Sequence, residues 1–141
     1  MFFIKGKVYG RNEVIKKNIT VNGKTKTEEG VFFTIKEAEF GKQDIAAIAD
    51  SIEKELGAFT PKWAKELKEG NIPEYINIKS KNPVLVVNQT QAGENPVSDD
   101  EDIIINGCYA VVAVSATWCN GIQVLENGKE YNPFIDCDLP F

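Results

Sequence analysis

Cations and aromatic rings are interleaved over the first third of the chain. Lys5, Lys7, Arg11, Lys16, Lys17, Lys24, Lys26 and Lys36 lie among Phe3, Tyr9, Phe32 and Phe33. A sequence-tolerant binder of single-stranded nucleic acid needs this pairing of residue types, because lysines neutralise phosphates and flat rings stack on bases of any identity. Phe32 and Phe33 are adjacent, so in a strand they face opposite ways, one to the core and one outward. The ring taken as available to a base is Phe33, together with Tyr9 and, further along, Tyr109. Tyr109 and Trp118 are nine residues apart on one expected strand, which sends them to opposite faces.

Other chemistry is sparse. There is no histidine, which removes Ser-His and Cys-His nucleophile pairs and the commonest general base. Cys108, Cys119 and Cys137 are odd in number, lack metal-ligand spacing and read as reduced thiols. The run Asp99-Asp100-Glu101-Asp102 has oxygens suited to a divalent cation, or charge suited to repelling DNA, but consecutive carboxylates read first as an exposed loop. No catalytic residue, cofactor or metal is expected, and the chain is not expected to be an enzyme.

The elements that must position these groups belong to one domain, since 141 residues with 43% apolar and 26% charged content suit a single soluble core. The net charge of −5 is unevenly spread: residues 1–36 carry +5, residues 37–81 carry −2 and residues 82–141 carry −8. That split suggests a basic binding surface and an acidic arm. No apolar run approaches the roughly 20 residues of a membrane-spanning helix. The opening Met1-Phe2-Phe3-Ile4-Lys5 turns polar too soon for a signal peptide, so a cytoplasmic location and no membrane partner are expected.

Strands are expected at Phe2–Tyr9, at Asn18–Val21 and Lys24–Thr27 across an Asn22-Gly23 hairpin turn, and at Val31–Ile35. Ile45, Ile48, Ala49, Ile52 and Leu56 fall at helical spacing and stop at Gly57. Thr60 as N-cap and Pro61 at the first helical position open a second short helix through Leu67, ended by Gly70. Strands resume at Tyr75–Ile78 and Val84–Val87, and Gln89–Asp102 reads as a loop. Ile103–Ile105 then leads into the longest expected strand, Cys108–Trp118. Asn120-Gly121 marks a turn into Ile122–Leu125, and Asn127-Gly128 another. Strands, helices, then strands give a mainly β fold: a partly closed antiparallel barrel of five strands with two short helices inserted, the OB-fold being the leading topology. Residues 1–131 form that domain, and residues 132–141 a disordered acidic C-terminal tail.

The tail reads as a recognition peptide. Phe141 sets an apolar ring beside the α-carboxylate, Pro140 restricts the chain, and Asp136 and Asp138 steer it toward a basic surface. Asp138-Leu139-Pro140-Phe141, with Asp136 before it, closely resembles the C-terminal tip of bacterial single-stranded DNA-binding proteins, although Cys137 interrupts the usual run of acids. The body is more similar to phage-encoded single-stranded DNA-binding proteins of the OB-fold type. That likeness is carried by Tyr75-Ile76-Asn77-Ile78-Lys79-Ser80-Lys81-Asn82-Pro83 and Asn106-Gly107-Cys108-Tyr109-Ala110-Val111-Val112. The resemblance implies a phage source, a role in coating exposed strands during replication or recombination, and a tip that docks on replication and repair proteins.

The expected partners are therefore single-stranded DNA and, through the tail, replication or recombination proteins, and a homodimer is compatible with the sequence. An adaptor that engages host replication proteins through the tail without binding DNA is the alternative. A metal-dependent nuclease built on Asp99, Asp100 and Asp102 is a third reading.

Overall fold

The computed structural model describes residues 1–21, 23–84, 86–88 and 108–124. The loop and strand signals between Gln89 and Ile105, the turn at Asn127-Gly128 and the acidic tail lie outside them, as does the boundary at residue 131.

The chain forms β1 (Phe2–Gly10), β2 (Ile15–Val21), β3 (Lys24–Glu39), α1 (Ile45–Leu56), a short 3-10 turn (Gly57–Phe59), α2 (Lys62–Lys68), β4 (Tyr75–Ser80), β5 (Val86–Asn88), β6 (Cys108–Ser115) and β7 (Trp118–Val124). The fold is mainly β, as the sequence pattern requires. Strand pairings close a circuit: β1 pairs with β6, β6 with β7, β7 with β4, β4 with β3, and β3 again with β1. All are antiparallel except β4 with β7, which meet in parallel at Lys79 and Trp118. β5 adds to β7 in parallel.

The longest strand is β3, with 16 residues, not the stretch after Cys108. The Lys24–Thr27 and Val31–Ile35 signals are two stretches of it. Its first part pairs with β2, from Val21 against Lys24 to Ile15 against Gly30, and forms an exposed two-stranded arm. Its second part enters the circuit, where Val31, Phe33 and Ile35 turn inward in strict alternation. At Gly30 the strand crosses so close to β4 that a Cβ would lie 2.6 Å from the Ser80 carbonyl oxygen. The return pairing with β1 contains a bulge, since Lys5 faces Glu39 while Lys7 faces Lys36. The extra residue leaves Glu37 at φ 54.

Ile4, Val8, Phe33, Ile35, Ile76, Ile78, Val112 and Ile122 fill the interior, and Ile52, Trp63 and Leu67 of the helices close over it. Each such side chain contributes about 1.5–3 kcal/mol by leaving water. Helix α1 matches its expected span and is capped by Asp44, whose carboxylate accepts from the Ala47 amide at 3.2 Å. Thr60 does not cap α2: its hydroxyl donates to the Gly57 carbonyl at 2.6 Å, and the Pro61 carbonyl receives the first amides of the helix.

The Cys108–Trp118 stretch is broken. β6 ends at Ser115, Ala116 (φ 53) and Thr117 make a two-residue turn, and Trp118 opens β7. Asn120-Gly121 is not a turn but a bulge within β7, where Val114 faces Cys119 and Ala113 faces Gly121. Ala110 through Val114 are all buried, on both faces of β6, which explains their unbroken apolar run. Among the described residues, no helix is long and apolar enough to cross a membrane.

Candidate nucleic-acid interface

The side chains that alternate with the core residues on β1, β3, β4 and β7 form a polar, ring-bearing outer face. Strand register sorts them into three rows. In the first, Tyr109, Lys7, Lys36 and Tyr75 are successive cross-strand neighbours over β6, β1, β3 and β4. In the second, Tyr9, Thr34 and Asn77 are neighbours over β1, β3 and β4. In the third, Phe32, Lys79 and Trp118 are neighbours over β3, β4 and β7. Neighbours within a row stand roughly 5 Å apart, and successive rows roughly 7 Å.

The lysines of this face rest on its rings. The Lys36 ammonium sits 4.9 Å from the Tyr9 ring centre and 5.0 Å from that of Tyr75. Lys79 lies 5.2 Å from Trp118, and Lys17 reaches from the arm to 5.3 Å from Phe32. Each contact holds a flexible, charged side chain against a ring. Tyr75 and Trp118 remain 48% and 43% exposed beneath these lysines, a large open area for aromatic rings.

An acid ties the arm to this surface. Glu28, on the arm, accepts from Lys26 at 2.9 Å and from Lys79 at 3.1 and 3.3 Å, tying the arm to β4. Desolvation pushes its carboxyl upward, but hydrogen bonds and charge from Lys26 and Lys79 outweigh that and hold it below its ordinary value. The Thr34 hydroxyl donates to Asn77 Oδ1 at 2.9 Å, which turns the Asn77 amide nitrogen away from that bond.

Two hollows of about 490 and 500 Å³ lie along the face and share Lys17, Phe32, Asn77 and Ile78 as lining. One extends toward Tyr9 and Arg11, the other toward Phe59, Lys79 and Thr117. These four shared residues make the hollows neighbours over β3 and β4, and the pair is termed the groove.

The residues singled out in the sequence divide accordingly. Tyr9 and Lys17 line the groove, and Lys36 stands beside it over the Tyr9 ring. Lys26 lines one hollow and Arg11, 4.0 Å from Glu13, the other. Lys5 lies 5.6 Å from the Tyr109 ring, whose hydroxyl donates to Glu39 at 3.1 Å, at the far end of the first row. Lys7 pairs with Glu37 at 2.9 Å, and that bond and charge raise its pKa. Lys16 and Lys24 are exposed on the arm. Phe33 is corrected: it is 2% exposed in the core, and Phe32 is the outward ring. Tyr109 and Trp118 are likewise on different strands, not on one. Asp136, Asp138, Leu139, Pro140 and Phe141, and the acids 99–102, lie outside the described residues.

Tyr75, Asn77 and Lys79 belong to this face without being among the expected binding residues; the alternation Tyr75-Ile76-Asn77-Ile78-Lys79 signals them, since Ile76 and Ile78 are buried. Cys119 is buried, its thiol directed at the Gly121 carbonyl at 3.9 Å and pushed up to about 12 by burial, so it is chemically inert.

No family model, curated protein or solved structure matches this chain.

Proposed function

We propose that the chain binds single-stranded DNA across the outer face of β1, β3, β4 and β7, coating exposed strands during replication, recombination or repair. The observation that carries this reading is the set of cross-strand rows in which lysines rest on exposed rings. Such a surface offers charge to phosphates and π-faces to bases while reading little sequence. Duplex DNA keeps its bases stacked inside and has no use for the rings.

The strand order supports reading the circuit as the five-stranded OB-fold. With β1, β3, β4, β6 and β7 as its five strands, the first pairs with the second and fourth, and the fifth lies between the fourth and third. In that fold the face of the second and third strands, flanked by two loops, takes oligonucleotides. Here those parts are β3 and β4, flanked by the arm and by the Ala116-Thr117 turn. The acidic end from Asp136 to Phe141 is proposed to recruit replication or recombination proteins, in keeping with a phage-encoded coating protein.

The test is fluorescence anisotropy with a labelled single-stranded oligonucleotide and its duplex, each at two salt concentrations. Tight, salt-sensitive binding of the single strand and weak binding of the duplex are expected. No binding of either at low salt would sink the proposal.

A further inference from the structure

One large apolar residue near the groove has no structural task. Phe59 is 66% exposed, yet its position is held firmly. Gly57 (φ 54) ends α1, and the Thr60 amide and hydroxyl both donate to the Gly57 carbonyl, at 3.1 and 2.6 Å. Those bonds staple the turn that carries Phe59. A ring displayed to water on a rigid turn is poised for a partner rather than left over from packing.

Its surroundings identify that partner's chemistry. The 490 Å³ hollow is where three elements meet: the helix connector brings Phe59, the sheet brings Phe32 and Asn77, and the arm brings Lys17 and Lys26. Lys79 stands at the same place beside Glu28. Two rings, the amides of Asn18 and Asn77, and three lysines against one carboxylate make a site with apolar walls and net positive charge. We infer that this hollow is a dedicated nucleotide pocket, which takes one base out of the bound strand against Phe59 and Phe32 while Lys17 and Lys26 hold its phosphate. The inference rests on the single-strand reading and adds to it a fixed register: one nucleotide is gripped differently from those lying along the rows.

The pocket predicts a position-dependent energy. A short oligonucleotide is bound by the wild type and by Phe59→Ala, with a single abasic spacer moved through it. Phe59→Ala, whose melting temperature is expected to be unchanged because the ring is exposed, should bind the intact strand about tenfold more weakly, within the range a stacked base supplies. The salt slope should stay the same, because no phosphate contact is removed. A spacer at one position should weaken wild-type binding by a similar factor and hardly affect Phe59→Ala. Phe59→Trp should retain wild-type affinity. Wild-type binding together with equal affinity of Phe59→Ala would overturn the pocket and leave the groove standing. Absence of any wild-type binding would remove both.

Discussion

Phe32 and Phe33 are neighbours with opposite tasks, and substitution separates them. Phe32→Ala and Trp118→Ala each remove an outward ring, half-buried in the first case and exposed in the second, so each is expected to reduce single-strand affinity by roughly 5- to 100-fold, with the unfolding midpoint unchanged for Trp118→Ala. Phe33→Ala empties a core site and is expected to cost about 3–5 kcal/mol of stability, read from urea unfolding. Adjacency in the sequence shows that the two rings diverge but not which goes inward. That is decided by partners distant in sequence, Ile78 and Gly10 opposite Phe33, Lys79 opposite Phe32. Glu28 gives a second residue-scale expectation. Glu28→Gln releases Lys26 and Lys79 and should tighten oligonucleotide binding severalfold at low salt. Because its folded pKa is depressed, the stability Glu28 contributes is complete above its unfolded value near about 4.3 and fades as pH falls through the lower folded value. The wild-type advantage over Glu28→Gln in urea should therefore be constant above roughly pH 5 and shrink toward pH 3.

Among the elements, α1 and β4 are legible almost residue by residue, because their apolar periods of 3.6 and 2 are unbroken. The β6–β7 region is not. Cys108 to Trp118 reads as continuous because Ala116 occupies a turn position that ordinarily calls for glycine, while the glycine sits in the bulge five residues later. Among the described residues, the hairpin signal between Val21 and Lys24 holds, since those two residues pair. The misplaced alanine makes a prediction of its own. Ala116→Gly relieves the left-handed strain of about 1 kcal/mol and should raise the melting temperature by roughly 3 °C in calorimetry, without altering DNA affinity.

For the molecule as a whole, the asymmetry of charge is the governing quantity. Lys17, Lys26, Lys36 and Lys79 stand in or beside the groove, so the logarithm of affinity should fall with the logarithm of salt at a slope of about 3. Residues 82–141 carry −8, and the proposed acidic tail would compete for the same cations. Removing residues 132–141 should raise single-strand affinity at low salt, with the difference vanishing at high salt. A tail that leaves affinity unchanged at every salt concentration has no such role.

The circuit of strands is closed by a contact between the two ends of the fold: Phe2, Phe3 and Ile4 of β1 pair with Val114, Ala113 and Val112 of β6. Translation delivers these partners at the opposite extremes of the domain. Until β6 emerges, β1 exposes an apolar edge of Phe2, Phe3 and Ile4 with nothing to pair against, and such an edge attracts other chains. Closing so long a loop also makes folding slow for a domain of this size. The proposed binding face is thus complete only once β7 has been made, since Trp118, the last ring of the third row, lies beyond β6. Overproduction at high temperature, where many unfinished chains coexist, should drive it into aggregates that slower synthesis avoids.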